Sequence, residues 1–343
     1  MDLTTNYLGL ELAHPIIASA GPLSQTVDGV RALADGGAAA VVMYSLFEEQ
    51  VRHEEFHDAM LTEEPAESYG EALSYFPQVP TSNISPTKTY LSLVEKAAEA
   101  VSVPVIGSIN GSTMGGWTGV ARDLQNAGAA AVELNIYQVP GEISTDARWV
   151  EDTHREILAA VKDAVTIPVA VKLSPYFSSF GAFALTLSQA DADGLVLFNR
   201  FLQPEVDVER LTVEPGIGLS HSSDGRLPRT WIAALHGKLG TTSLCASGGV
   251  ETWEDVARYI LAGADVVGTT SALVRHGAGH TRMLLDGFRD WLERRQFTSL
   301  DQARGMLAVP ADADASAYER AGYVAALEQA KQTYGPLARE TWL

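Results

Sequence analysis

The sequence contains a single cysteine, Cys245, and it lacks any long apolar run. One thiol excludes intramolecular disulfides, thiolate zinc fingers and an iron–sulfur cluster held by this chain alone, and it favours a reducing cytoplasm. No apolar run reaches the ~18 residues of a membrane span, and the first residues carry an acid where a signal peptide needs a basic region. We therefore expect a cytoplasmic protein that is neither exported nor embedded in a membrane.

Basic residues are also scarce, since 24 Lys and Arg stand against 43 Asp and Glu and leave a net charge of −19. Such a field repels phosphate backbones and anionic lipid headgroups, so we expect no nucleic-acid partner. No Gly-x-Gly-x-x-Gly motif follows an apolar run, which argues against a dinucleotide bound on a Rossmann fold. Hydrophobic residues make up 46% of the chain, which suffices for a core and predicts a globular protein.

One sequence pattern recurs along the chain: a helical stretch ends in Gly or Ala-Gly, and a short β-branched run follows. The glycine suits a left-handed helix C-cap, and the apolar run suits a strand buried on both faces. Elsewhere a Val-Pro or Ile-Pro pair stops a helix before such a run. Together these patterns predict eight strands, which start near Pro15, Ala39, Pro104, Ala130, Val169, Gly194, Thr242 and Asp265.

Eight strands that alternate with helical segments predict an α/β protein, a (β/α)₈ TIM barrel over residues 1–309. A doubly wound open sheet is the alternative, and the barrel is favoured because the alternation runs on without a linker. Two insertions, roughly Glu48 to Thr87 and Phe201 to Leu227, follow strands 2 and 6, so we interpret them as lids at the active-site face. Residues 310–343 form a predicted C-terminal helical extension, packed on the barrel or at an interface.

Lys172 stands inside an otherwise apolar strand, VAVKLSP. An ammonium buried there without a partner is costly, so it requires an anionic or strongly polar neighbour. In the structural interpretation that neighbour is a strand carboxylate such as Glu133. In the functional interpretation it is a cofactor or substrate anion, and spacing alone leaves both open.

Glycine and hydroxyl residues follow two consecutive strands, in the segments 247–249 and 268–271. In TIM barrels the loops after strands 7 and 8 bring backbone N–H groups and a helix N-terminus to a phosphate, and glycine permits the close approach. These two segments therefore predict a phosphate cradle, although glycine turns also form ordinary βα loops.

Asparagines end three other predicted strands: Asn110, Asn135 and Asn199. Asparagine is a poor strand former, but its amide offers donors and acceptors to a planar heterocycle. Their placement indicates heterocycle recognition, although any one of them also fits a loop cap.

A competing motif lies in the first insertion, where His53-Glu54-Glu55-Phe56-His57 matches the zinc-protease pattern His-Glu-x-x-His. A solvated acidic helix explains the same residues more simply, so the sequence predicts no metal in the main site.

The fragments NYLGLELAHPIIASAGP, ELNIYQVPG, VAVKLSPYF, LFNR, ASGGVETWEDV and LAGADVVGTTSAL resemble the dihydroorotate dehydrogenases over about Leu3 to Leu307. The closer resemblance is to the divergent branch called dihydroorotate dehydrogenase-like proteins. It implies an FMN enzyme on a (β/α)₈ barrel that acts on CH–CH donors, belongs to pyrimidine metabolism and forms a homodimer in the cytoplasm.

The resemblance also implies roles for single residues. Lys172 would face the N1/C2=O edge of the flavin, where a cation stabilises the anionic reduced ring. Together with Asn110, the residues expected at FMN are Ala18, Ser19, Ala20, Gly21, Ser45, Asn135, Lys172, Asn199, Gly248, Gly249, Thr270 and Ser271.

Several positions depart from the family pattern around the substrate. Gln138 stands at the position of the catalytic cysteine or serine, and an amide cannot act as a general base. Pro140 stands where a substrate-binding asparagine belongs, and Tyr44 replaces a lysine after strand 2. Arg200 follows Asn199 in place of a serine and would bind a carboxylate or pair with an acidic neighbour.

Tyr137 could move a proton in place of the missing base if Arg200 or Lys172 activates it. The catalytic residues predicted are then Tyr137, Gln138 and Lys172, and the substrate-binding residues are Tyr44, Asn199 and Arg200. The leading hypothesis is an FMN-dependent oxidoreductase that acts on a C–C or C–N bond of a small, planar, anionic molecule.

Two other functions stay open. One is a flavin-binding, non-catalytic subunit that works with a partner, and the other is a zinc hydrolase built on His53 and His57. A separate electron-transfer partner is compatible with the first two hypotheses.

Overall fold

The computed structural model describes residues 1–51, 85–111, 116–138, 141–200, 204–214, 216, 218–310 and 312–334. In these ranges the strands are β1 (Thr5–Tyr7), β2 (Leu10–Leu12), β3 (Ile16–Ala18), β4 (Val41–Val42), β5 (Leu46–Phe47), β6 (Val105–Gly111), β7 (Ala131–Ile136), β8 (Val169–Leu173), β9 (Gly194–Leu197), β10 (Glu205–Asp207), β11 (Thr212–Glu214), β12 (Ser243–Ser247) and β13 (Val266–Thr269).

Eight of these strands close into a parallel ring, which confirms the predicted (β/α)₈ barrel. Neighbours pair in the order β3, β4, β6, β7, β8, β9, β12, β13 and back to β3. The β4–β6 pairing, Val41 with Val105 and Val42 with Ile106, completes the circle. Each predicted strand start lies within two residues of an observed one.

The helices of the described ranges are α1 (Val27–Asp35), α2 (Pro86–Ala100), α3 (Trp117–Asn126), α4 (Ala147–Ala164), α5 (Phe180–Gln189), α6 (Arg226–Leu235), α7 (Trp253–Ala262), α8 (Ser271–His276), α9 (His280–Arg294) and α10 (Ala315–Tyr334). None of them is long and apolar enough to cross a bilayer.

Local sequence explains where these helices begin and end. The Asp146 carboxylate accepts the Trp149 N–H at 2.7 Å and caps α4, and Thr252 and Asp255 form a capping box on α7. The glycines predicted to end helices have positive φ angles, 87° at Gly128 after α3 and 112° at Gly263 after α7. The strands that follow, β7 and β13, begin three residues after these glycines, at Ala131 and Val266.

A short hairpin of β1 and β2 closes the N-terminal end of the barrel, a feature that the strand pattern did not predict. Tyr7 and Leu12 are each 1% exposed and belong to the same buried cluster as Cys245. The Leu8 N–H donates to Ser243 Oγ at 3.1 Å, and Ser243 is the first residue of β12. Because this end is plugged, the opposite end is the one available to a ligand.

The two insertions and the tail differ in how far they can be described. Residues 52–84, with the His53-to-His57 motif, lie outside the described residues. The second insertion contains the antiparallel hairpin of β10 and β11 and then a 3₁₀ turn at Ser222–Gly225. In the tail α10 forms, and Tyr323, Val324 and Leu327 on it are 45–58% exposed; its packing on the barrel stays a prediction.

Candidate functional site

A cleft of about 570 Å³ opens at the C-terminal ends of the barrel strands. Residues that follow β3, β8, β9, β12 and β13 line it, together with part of the second insertion. Nine of the predicted site residues line this cleft: Ser19, Ala20, Gly21, Lys172, Asn199, Arg200, Gly248, Thr270 and Ser271. The structure therefore brings together residues that are up to 252 positions apart in the chain.

Lys172 has the strand carboxylate of the structural interpretation as its partner, and its place in the cleft is compatible with the functional interpretation. Its Nζ donates to Glu133 Oε1 at 3.4 Å, and the two side chains are only 9% and 4% exposed. Lys172 also lines the cleft, whereas Glu133 lies deeper. Since an ammonium has three donors and Glu133 takes one at a long distance, capacity remains for a polar ligand.

The cysteine near this pair is not a nucleophile at neutral pH. Burial, with the nearby Glu133 charge as a further cause, raises the pKa of Cys245 to about 12. Cys245 is 1% exposed and packs with Tyr7 in the plugged end of the barrel. The thiol therefore stays protonated and out of reach of the cleft.

The predicted asparagines form a polar row across neighbouring strands. Asn110 is in register with Asn135, and Asn135 is in register with Lys172. Asn199 Nδ2 donates to Asn135 Oδ1 at 2.7 Å. Asn199 Oδ1 accepts the Arg200 N–H at 2.9 Å, so both ends of the Asn199 amide are held while the residue lines the cleft.

The glycine turn after β12 meets the loop after β13, as the predicted phosphate cradle requires. Gly248 and Gly249 have φ of 93° and 67°, values that disfavour any side chain. A Cβ on Gly249 would overlap the backbone N of Gly225, whereas one on Gly248 would project into open space. The space beside the Gly248 backbone is therefore open to a ligand.

Hydroxyl groups complete the cradle. Thr270 Oγ1 donates to Ser19 O at 2.8 Å, which ties the loop after β13 to the loop after β3. Ser271 Oγ accepts the Ser220 N–H at 3.0 Å and lies 3.0 Å from Ser220 Oγ. The second insertion thus contributes Ser220 to the wall of the predicted phosphate site.

Arg200 reaches into the cleft and forms an ion pair there. Its Nη1 lies 3.2 Å from Asp224 Oδ2, and its Nε is buried without a hydrogen-bond partner. Burial raises the pKa of Asp224, but the His221 N–H and the Arg200 guanidinium outweigh it and hold that pKa below its usual value. Arg200 therefore faces a charged carboxylate and keeps a donor in reserve.

The remaining predicted residues lie beside the cleft rather than in its wall. Ala18 is buried at 1% within β3, and Gly249 supports the turn from behind. Ser45 Oγ lies 2.8 Å from Ser108 Oγ, and the Tyr44 ring packs edge-on against Tyr90 with centroids 5.0 Å apart. Their assigned roles stay predictions.

Tyr137 and Gln138 lie directly after β7. The Tyr137 N–H donates to Gly111 O at 2.9 Å, which continues the strand pairing. Gln138 lines a neighbouring pocket of about 330 Å³, and its Oε1 is buried without a partner. Tyr176 borders both this pocket and the main cleft, so the two spaces adjoin.

Several cleft residues were not predicted. Tyr176, Phe198, Ser220 and Asp224 line the cleft, and the sequence offered no motif for them. The position of the second insertion after a barrel strand was the available signal for Ser220 and Asp224. Among the described residues no group of three or more His, Cys, Asp and Glu side chains could hold a metal ion.

Comparison with known proteins places this barrel in a family. A model of the family described as dihydroorotate dehydrogenase matches residues 80–292, more than half of the chain. The chain belongs to the dihydroorotate dehydrogenase family. This membership confirms the resemblance, the barrel fold, the oxidoreductase and flavoprotein class, and the link to pyrimidine metabolism at the level of the family.

Individual members of the dihydroorotate dehydrogenase family match most of the chain at modest identity. The three described next each carry the name dihydroorotate dehydrogenase B (NAD(+)), catalytic subunit. The protein from Thermoplasma acidophilum is 27% identical over 314 residues, which cover 89% of this chain and 98% of that protein. The protein from Pyrococcus furiosus is 28% identical, and the match covers 89% of this chain and 99% of that protein. The protein from Methanosarcina mazei is 29% identical, and the match covers 87% of this chain and 93% of that protein.

Proposed function

We propose that this protein is an FMN-dependent oxidoreductase that acts on a CH–CH or C–N bond of a small, planar, anionic substrate. One observation carries the proposal: a buried cation, Lys172, lines the same cleft as the open glycine turn at Gly248. A flavin mononucleotide needs both, because its phosphate and its reduced ring are anionic.

The residues present fit FMN. The cleft of about 570 Å³ is long enough to reach from the cradle after β12 and β13 to the strand end at Lys172. Gly248, Ser271 and Ser220 would hold the phosphate, while Lys172 and Asn199 would contact the polar edge of the ring. When bound, FMN supplies the two-electron chemistry of the reaction.

Lys172 would serve as the positioning cation for the ring. Glu133 holds the ammonium at the strand end and neutralises its charge in the free protein. Its remaining donors can bind a ring carbonyl or nitrogen, and the low exposure of the pair strengthens that interaction. The pair thereby keeps a donor in place without leaving an uncompensated buried charge.

Proton transfer to or from the substrate is assigned to Tyr137. Gln138 cannot accept a proton, and the loop that carries both residues begins where β7 ends beside the Asn135 side chain. In water a phenol ionises only near pH ~10, so the reaction requires a nearby cation. Lys172 and Arg200, which both line the cleft, are the cations that we assign to this role.

Arg200 is assigned to the carboxylate of the substrate. Its guanidinium already binds one carboxylate, Asp224, and its geometry suits a second, bidentate one. A substrate anion would therefore either share Arg200 with Asp224 or replace it. Tyr44 and Asn199 are the further residues that we assign to the substrate.

The first experiment asks whether the purified protein is yellow and whether substrates bleach it. We expect FMN absorbance in the protein and its anaerobic bleaching by one member of a series of carboxylated dihydropyrimidines. Material that is colourless and takes up no FMN would refute the proposal.

The role of Tyr137 is tested separately in the flavin-loaded protein. We expect Tyr137→Phe to abolish bleaching by substrate while the absorbance of bound FMN is retained. Tyr176→Phe is the matched control, since Tyr176 lines the cleft but has no assigned chemistry. If Tyr137→Phe turns over normally, Tyr137 is not the acid or base.

A flavin-binding subunit without its own dehydrogenase activity is the second candidate, and Gln138 at the position of the family base favours it. The relatives named catalytic subunit indicate that those proteins work with other subunits, and we extend to this chain a separate electron-transfer partner and a homodimer. Bound FMN that no dihydropyrimidine bleaches, but that a reductase partner reduces, would favour this candidate.

A further inference from the structure

A second cavity lies on the outside of the barrel and meets the cleft at Arg226. It is a groove of about 410 Å³ between α6, α7 and the start of α10. Arg226, Arg229 and Arg258 line it together with Leu307, Val309 and Tyr318. Below, "arginine groove" means the cavity bounded by these six residues.

The charge of the arginine groove is opposite to that of the chain. The protein has a net charge of −19, yet no Asp or Glu belongs to the described lining of this cavity. Arg226 and Arg229 are three residues apart on α6, so their side chains share one helix face, and Arg258 joins them from α7. Like charges at this spacing oppose helix stability unless an anion lies between them.

Ion pairs do not account for this cluster. Arg258 Nη1 binds Asp255 Oδ1 at 2.7 Å. That carboxylate is already satisfied, because it also accepts Ser222 Oγ at 2.5 Å and the Glu251 N–H at 3.2 Å. In the part of the chain that the structure describes, neither Arg226 nor Arg229 forms an ion pair.

Arg229 is the most constrained of the three. Its Nη1 is buried without a hydrogen-bond partner and packs against Gly225, where a Cβ would approach it to 2.6 Å. Its guanidinium lies over the Tyr259 ring, 5.5 Å from the centroid. Burial is the main cause that lowers the pKa of Arg229; the Tyr259 and Asp255 charges oppose it, and those of Arg258 and Arg226 add to it.

Tyr259 separates the arginine groove from the cleft. Its hydroxyl donates to Gly248 O at 2.6 Å, so one side of this side chain faces the cradle and the other faces Arg229. Arg226 borders both spaces. A ligand in the groove would therefore occupy a site distinct from the one that we assign to FMN.

We propose that the arginine groove binds a small molecule that carries a phosphate ester. Three guanidinium groups on one concave surface are the side chains best suited to a tetrahedral dianion, because each offers paired N–H donors. The remaining walls, Leu307, Val309 and Tyr318, are apolar or aromatic and suit an organic body attached to the phosphate. The ligand class is thus a phosphomonoester rather than a bare inorganic anion.

The test uses the flavin-loaded protein, so that FMN fills the cradle. Binding of phenyl phosphate and of inorganic phosphate is then measured by titration calorimetry at low salt. We expect one phenyl phosphate per chain, bound at least tenfold more tightly than inorganic phosphate. Arg229→Gln and Arg258→Gln should each weaken binding at least tenfold, and Arg258→Lys, which keeps the charge, should weaken it less.

Two matched controls locate the anion. Arg155→Gln removes the same charge from an exposed pair with Asp152 on α4, so it should leave binding unchanged. Arg200→Gln alters the cleft and not the groove, and it should also leave binding unchanged.

Four results would overturn the proposal. They are an absence of saturable binding, equal affinity for the two probes, an equal loss in Arg155→Gln, and a loss in Arg200→Gln with none in Arg258→Gln. Circular dichroism and the bound-flavin spectrum of each variant verify that it is folded before its affinity is compared.

Discussion

The buried pair of Lys172 and Glu133 should respond asymmetrically to mutation, because its two members differ in depth. Glu133 is 4% exposed at the side chain and lies inside the barrel, whereas Lys172 lines the cleft, where water can reach its ammonium in the flavin-free protein. Removal of one partner of a buried pair costs ~3–5 kcal/mol when the other stays dehydrated.

We therefore expect Lys172→Met to lower the free energy of unfolding by about 3 kcal/mol, the lower end of that range, because the Nζ–Oε1 distance of 3.4 Å is long. Glu133→Gln should cost about 1–2 kcal/mol, because the amide still accepts a hydrogen bond and the ammonium can be hydrated. The double variant should be more stable than Lys172→Met alone, since no buried charge is left unpaired.

The assay is urea unfolding of flavin-free protein for the wild type, both single variants and the double variant. The slopes of the transitions must agree before the free energies are compared. A cost for Glu133→Gln that equals or exceeds the cost for Lys172→Met would refute the argument from depth. Strict additivity in the double variant would show that the two side chains do not interact.

Three further predictions concern residues away from this pair. Cys245, with a pKa of about 12, should react with a thiol reagent at pH ~8 only after denaturation, and rapid labelling of the native protein would contradict its burial. Burial lowers the pKa of His14 to about 4, so the folded state favours the neutral ring. The free energy of unfolding should therefore fall by up to about 3 kcal/mol as the pH is lowered from ~6.5 to ~4. Unfolding curves of His14→Asn should show a weaker pH dependence. Gly249→Ala should destabilise the fold more than Gly248→Ala in thermal melts. Both variants acquire a positive-φ strain of about 1–2 kcal/mol, but only the Cβ at position 249 overlaps Gly225. Gly248→Ala should stay folded and bind FMN more weakly in a flavin titration.

The arginine groove could not be read from the sequence. Arg226 and Arg229 look like ordinary surface residues of an amphipathic helix, and Arg258 pairs with Asp255 at the common i, i+3 spacing. The packing of α6 against α7 turns all three toward one cavity and leaves them short of carboxylates. The net charge of −19 for the whole chain would instead predict a surface that repels anions.

The residues of the candidate site likewise fall into two groups, those that the sequence indicated and those that it did not. Lys172, Asn199, Gly248, Thr270 and Ser271 could be selected from the sequence because each is a polar or glycine residue near the end of a strand, whereas Ser19 to Gly21 followed only from the family resemblance. Ser220 and Asp224 could not, because the insertion that carries them has no periodic pattern to fix its path. Their positions depend on contacts with residues remote in the chain, such as the bond of Ser220 to Ser271.

Patterns in the amino-acid sequence were enough to predict the eight barrel strands, the helices between them and the family. Buried parallel strands and glycine helix stops are encoded in short runs of neighbouring residues, so local pattern suffices to find them. The folded structure was needed to show that β1 and β2 plug one end of the barrel, that Lys172 both pairs with Glu133 and lines the cleft, and that Gln138 lines an adjoining pocket. Those relations join side chains from different strands and loops, and their distances follow from how the whole ring closes.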